Sequence, residues 1–358
     1  MQRFRCLCMA PESVEQPSRR GFLSGLGALG ASAALSGCQG MAASATAGKP
    51  HRIDVHHHIM PPAYVEQAVK LGQPKPPPWS VQRSLDEMDK NGIATSVVAL
   101  MQPGAYFENV ELDRKLARES NEFAAKMAAD HPGRFGSFAT LPLMDVEGSL
   151  REIAYAFDTL RADGIGLMTS YGTTYLGDPR FAPIWTELNR RKAVIYTHPL
   201  SPACCRNPIA GLPPSALEFA TDTSRTIASL LFTGTAARYP DIRWIFSHSG
   251  GTMPMLWSRY TRQQTDIGET RAKAAMPNGV LHEIRKFYYD TAQGNHAGAM
   301  AALREIVPVS QILYGTDYPY RTAGEAVDAL GARSFGGTER MAVDRANALR
   351  ILPGLKTV

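Results

Sequence analysis

From residue 52 to the end of the chain, short apolar runs rich in β-branched residues alternate with longer helical patterns, and this alternation narrows the fold more than any other feature. Strands are expected at Ile53–His56, Thr95–Leu100, Arg134–Leu141, Ile165–Met168, Val194–His198, Arg243–His248, Phe287–Thr291 and Ile312–Asp317. Most are continuously apolar, as parallel strands buried on both faces are. Helical stretches fall between them, at Leu112–Asp130, Gly148–Arg161, Phe181–Arg191 and Thr223–Tyr239. Asn91-Gly92, His131-Pro132-Gly133 and Tyr239-Pro240 each close a helix just ahead of a strand. Eight such units without a break in composition predict an α/β protein whose single domain, residues 49–358, is a (β/α)8 TIM barrel. A doubly wound sheet would instead place a glycine-rich turn after the first strand, where this chain has three histidines.

The polar residues at the strand ends carry the chemistry. His56 and His58 form His-x-His, a spacing that points both imidazoles to one side and His57 to the other, where it reads as structural. His198 ends the fifth expected strand, His248 the sixth and Asp317 the eighth. In a barrel these carboxyl ends converge on one pocket although they are far apart in sequence. Three imidazoles and a carboxylate suit one divalent cation. Zinc is the default, and manganese and iron accept the same ligand types. A second metal would need a bridging lysine or acid at the end of the fourth strand, and Gly164–Thr169 supplies neither.

Two loops depart from a minimal barrel: the proline-rich Gln73–Trp79 after the first strand, and Ser201–Pro214 after the fifth. Both are expected on the active-site face as pocket walls. Trp79, Tyr106, Phe107, Tyr171 and Tyr175 could form an aromatic wall, and Arg206 and Arg321 could pair with an acid group. Trp185 and Trp244 lie inside elements and read as packing.

Residues 1–48 read as a leader and linker outside the barrel. Ser18-Arg19-Arg20-Gly21-Phe22-Leu23 precedes an apolar, small-residue run to Leu35, too short to span a bilayer. That is the form of a cleavable twin-arginine signal peptide, so the expected location is periplasmic or envelope-anchored. Leu35-Ser36-Gly37-Cys38 has the form of a lipobox, which would anchor the protein to a membrane by lipid at Cys38; ordinary cleavage within Ala42–Ala47 is the alternative. Met9 is an alternative start that would leave out Cys6 and Cys8. Only Cys204 and Cys205 then remain, so stability must come from the core and not from disulfides. The net charge of +5 is spread without a run of like charges, which argues against a nucleic-acid partner.

Ile53-Asp54-Val55-His56-His57-His58-Ile59-Met60-Pro61, Phe246-Ser247-His248-Ser249-Gly250-Gly251 and Tyr314-Gly315-Thr316-Asp317-Tyr318-Pro319 together resemble the amidohydrolase-2 family from about Arg52 onward. That family includes aminocarboxymuconate semialdehyde, γ-resorcylate and 6-methylsalicylate decarboxylases, and the His-His-His run before a proline is most similar to the last. The resemblance implies one metal on His56, His58, His198 and Asp317, with His248 acting beside it as proton donor or base. It implies a non-oxidative decarboxylase of a small aromatic or unsaturated acid, with His248 or Asp317 delivering the proton. Metal-dependent hydrolysis of a lactone or amide is the alternative. A non-catalytic envelope scaffold would have no need of an open metal position. The chain could also pair as a homodimer.

Overall fold

A computed structural model describes residues 51–206, 209–331 and 335–355. The expectations for the twin-arginine leader, the lipobox cysteine and the alternative start fall outside the described residues. No described helix is long and apolar enough to cross a membrane.

Eight parallel strands form one sheet in sequential order: β1 Arg52–Ile59, β2 Ile93–Leu100, β3 Phe135–Thr140, β4 Gly164–Met168, β5 Val194–His198, β6 Arg243–Phe246, β7 Tyr288–Asp290 and β8 Ile312–Leu313. The ring closes where Val55 N donates to Tyr314 O at 3.0 Å and His58 N to Tyr318 O at 2.8 Å. This is the barrel that the alternation predicts. Two strands end well short of the expected His248 and Asp317: β6 stops at Phe246 and β8 at Leu313. His248 and Asp317 therefore lie past the strands, on turns, with φ of 53° and 66°.

Alternation divides the buried residues into two layers. Ile53, Val55, Val97, Ala99, Phe138 and Tyr196 face the barrel axis, and the last helix plugs that core from below with Ala348 and Ile351. Val98, Ile165, Leu167, Ile195, Trp244 and Phe246 face outward, against helices that include Trp185. Trp185 and Trp244 meet edge to face at 5.3 Å between ring centroids, as packing residues should.

The helices stop and start where the local chemistry says. Asn109 caps the long helix Val110–Asp130 by accepting from Leu112 N. The stretch expected as one helix at Thr223–Tyr239 is two, Glu218–Phe232 and Thr235–Arg238, parted at Gly234, whose φ of 75° a helix cannot accommodate.

One irregularity in β1 aims the site. Opposite β2, Asp54 pairs with Ser96 but His57 pairs with Val98, so β1 carries one extra residue between them. Such a bulge reverses which side chains face inward. Ile53 and Val55 point to the axis below it. Above it His56 and His58 point inward, and His57 points out to Ser84 Oγ at 2.9 Å.

Candidate metal centre

Four imidazoles close on one carboxylate at the carboxyl end of the strands. Asp317 Oδ1 lies 3.1 Å from His56 Nε2, 3.0 Å from His58 Nε2 and 4.0 Å from His198 Nε2. His248 Nε2 lies 3.5 Å from the other oxygen, Oδ2. The Nε2 atoms of His56 and His58 are 3.3 Å apart, as the shared side of His-x-His requires. His56, His198, His248 and Asp317 each offer a donor atom, all within 4.8 Å of one another, and His58 sits against two members of that quartet. All five residues singled out from the sequence thus meet at one point.

Charge at this point is out of balance. Burial disfavours a charged carboxyl at Asp317, but the surrounding histidines outweigh it, His56 foremost, and hold the group well below the usual carboxylate range. Burial likewise disfavours charge on His198 and His58 and keeps both below the ordinary histidine value. His56 differs: burial opposes its charge, yet Asp290 and Asp317 overcome this and raise it to about 10. Without a metal, a proton on His56 is what offsets two buried carboxylates, Asp290 and Asp317. A divalent cation among the Nε2 atoms would take over that task, with His58 and His198 already neutral and able to donate lone pairs. The donor set therefore fits a divalent metal.

Two residues that the sequence reading passed over belong to this site. Asp290, at the end of β7, accepts from His56 Nδ1 at 2.8 Å, which turns Nε2 toward the cluster. Its place at a strand end was the available signal. Gln293, with φ 49°, donates through its side-chain amide to Asp317 Oδ2 and accepts from Arg321 Nε at 3.3 Å.

The cluster forms the floor of a cleft of about 1580 Å³. Of the residues expected in its walls, Tyr106, Phe107, Arg206 and Arg321 line it, together with Gln73 and Pro74. Ser201, Pro213 and Pro214 bring in the long loop after β5. Trp79, Tyr171 and Tyr175 do not line the cleft. Trp79 turns inward to donate to Ser84 Oγ and pack on Phe123. Tyr171 is buried with its hydroxyl accepting from Met168 N, and Tyr175 donates to Asp222 at 2.7 Å. Each has its polar end satisfied by the body of the protein, which fixes it away from the opening.

Known proteins carry the same frame. A 6-methylsalicylic acid decarboxylase from Penicillium expansum is 33% identical over 320 residues, spanning 86% of this chain and 98% of the relative. Decarboxylase yanB of Aspergillus niger is 37% identical over 325 residues, spanning 84% of this chain and 87% of the relative. Among solved structures, 5-carboxyvanillate decarboxylase of Novosphingobium aromaticivorans, complexed with manganese and 4-hydroxy-3-methoxy-5-nitrobenzoic acid, superposes with a TM-score of 0.77. It is 20% identical, and the match covers 86% of this chain and 97% of that one, so it speaks to the fold. The amidohydrolase family model matches residues 53–354, from the first barrel strand to the last helix, and the chain belongs to that family.

Proposed function

We propose that this protein is a metal-dependent, non-oxidative decarboxylase of a small aromatic carboxylic acid. The observation that carries the reading is the near full-length likeness to a 6-methylsalicylic acid decarboxylase in a chain whose five convergent residues could hold and serve one metal. His56, His58, His198 and Asp317 would be its ligands. The three-imidazole, one-carboxylate set favours zinc, and the manganese in the 5-carboxyvanillate decarboxylase complex keeps manganese in the test.

Loss of CO₂ leaves the electron pair of the broken C–C bond on the ring carbon, and a proton must reach that carbon. Nothing is oxidised, so no redox cofactor is required. When bound, the metal supplies Lewis acidity that steadies negative charge on the substrate's oxygens. The chain itself supplies the proton. His248 lines the cleft and keeps Nε2 3.5 Å from Asp317 Oδ2, so it can hold a proton at that nitrogen and pass it to carbon. Asp317, held as an anion by its histidines, then steadies the charged form of His248 and is the weaker acid candidate. Arg206 and Arg321, both exposed at the mouth, could attract an acidic substrate, and Tyr106 and Phe107 offer ring faces.

The test is to strip the metal with a chelator, restore one equivalent of zinc or manganese, and supply a panel of hydroxybenzoic acids. Activity should vanish and return, with CO₂ and the decarboxylated phenol as products. Full turnover by a demonstrably metal-free enzyme, or a hydrolytic product without CO₂, would overturn the reading.

The leader belongs to the same proposal. Arg19-Arg20 and the apolar run behind them support export by the twin-arginine route, which carries folded proteins and so permits the metal to be loaded first. Replacing both arginines by lysine should stop export, and Cys38→Ala should free the protein from membranes where the lipid anchor is used.

A further inference from the structure

We propose that Asp290 is a positioning residue for the metal centre, one that decides which nitrogen of His56 is free to bind. The inference rests on the metal reading above, and its test is separable from it.

The geometry uses every part of this carboxylate. Oδ2 faces His56 Nδ1 at 2.8 Å, while Oδ1 accepts from the backbone N–H of His248 at 3.0 Å and of Ala292 at 2.9 Å. Side chain and residue are fully buried. An ionised carboxylate only accepts, so the hydrogen on Nδ1 is required and Nε2 is left to face Asp317 and the neighbouring histidines. The second oxygen keeps this from being a loose contact. His248 and Ser249 are consecutive non-glycine residues with φ of 53° and 57°, a conformation L side chains disfavour. The bond from His248 N, and that from Ser249 Oγ to the Asp290 carbonyl at 3.2 Å, tie this turn to β7. One carboxylate therefore locks the first histidine of the cluster and the turn of the last into a single arrangement.

Gly315 is part of the same device. A Cβ at that position would stand 3.0 Å from the Cβ of both Asp290 and His56. The absence of a side chain there is what lets the two approach each other across the closing seam of the barrel.

Asp290→Asn separates these roles. The amide oxygen can still accept from His248 N and Ala292 N, so the turn and the fold should be kept. The amide NH₂ then faces His56 Nδ1, donor against donor, and the imidazole hydrogen must move to Nε2, the side where metal binds. Zn²⁺ affinity, measured by competition with a chromophoric chelator, should fall by ~10- to 100-fold, the usual effect of losing the carboxylate behind a ligating histidine. Nitrogen-detected NMR of His56 in the metal-free protein should show a hydrogen on Nδ1 in the parent and none there in the variant, whose amide NH₂ can pair only with a bare Nδ1. If Asp290→Asn binds zinc as tightly as the parent, Asp290 does not position the site. If the affinity loss comes with a lowered melting temperature of the metal-free protein and Nδ1 keeps its hydrogen, the residue is structural and the proposal fails. A parent that binds no metal at all would remove the metal reading itself, an outcome distinct from either.

Discussion

At the carboxyl end of the barrel, His248, Ser249, Gln293 and Asp317, four of the seven non-glycine residues with positive φ among the described residues, gather around one cleft floor. Nδ1 of His58, His198 and His248 is buried there without a hydrogen-bond partner. At the amino end, buried charge is answered locally. Asp344, buried at the foot of β1, meets Arg340 Nε at 2.7 Å, Arg52 Nε at 3.3 Å and His51 Nε2 at 3.3 Å. Asn347 donates to the carbonyls of Val309 and Ile312 beside it. Strained backbone persists only where the surrounding structure holds it, and these four strained residues sit where the site needs them. The upper end carries the site, and the lower end pairs the buried charge of Asp344.

The strongest challenge to that division is a substitution on the upper end that leaves stability alone. His248→Asn should lower kcat by at least ~10²-fold, the scale of one general acid, with near-parental metal content and a melting temperature close to the parent's. Metal lost along with activity would place His248 among the ligands, and a large stability loss would erase the contrast between the two ends. By the same logic Asp317→Asn and His198→Ala should each lower metal occupancy, and unchanged occupancy in both would move the ligands elsewhere.

At the lower end the expected effect is thermodynamic. Asp344→Ala strands two guanidinium groups around a buried position and should cost about 3 kcal/mol in urea unfolding, while kcat of the folded fraction stays at the parental value. A parental midpoint would show that this cluster is not what braces the barrel's foot.

The smallest effect depends on pH. Asp163, just before β4, accepts from Ser137 N at 2.8 Å, yet burial raises its carboxyl to about 6. A carboxyl raised in the folded state contributes stability below its unfolded value near 3.8, and that contribution is lost as pH rises through 6. Asp163→Asn keeps an acceptor for Ser137 N and has no such loss. It should therefore gain on the parent between pH 5 and pH 8 in paired urea titrations. A gap that is constant or shrinks over that range would contradict the assignment.

The strands were legible because parallel strands covered on both faces write themselves as apolar runs, and five strand-end residues in phase with that count foretold the cluster. What stayed hidden depends on contacts between segments distant in sequence. Asp290 lay inside an expected strand, but no spacing rule says that a carboxylate from β7 meets an imidazole from β1. Gln293 follows it on a turn whose left-handed backbone the local residues do not advertise. His248 and Asp317 were placed correctly around the pocket but one step too early along the chain, since the strands yield to turns before them. Tyr171 and Tyr175, which could have joined the wall, stay out of it because a short hairpin, Ser170–Tyr171 with Thr174–Tyr175, folds them back onto the body of the protein, where Asp222 takes one hydroxyl and Met168 N meets the other. The bulge between Asp54 and His57 is the subtlest case: His-x-His was read with the right phase, yet strict alternation from Ile53 would have put His57 inside.

The cleft floor and the cleft walls come from separate stretches of chain. The five convergent residues ride on the strands or on the turns directly after them, while Gln73, Tyr106, Ser201, Arg206 and Pro213 arrive on longer connections that line the cleft. Substrate preference can then be rewritten as one exchanges the jaws of a wrench while keeping its handle. Loops grafted from a sister enzyme, or a library confined to Tyr106, Phe107 and Arg206, would explore new aromatic acids with the chemistry held constant.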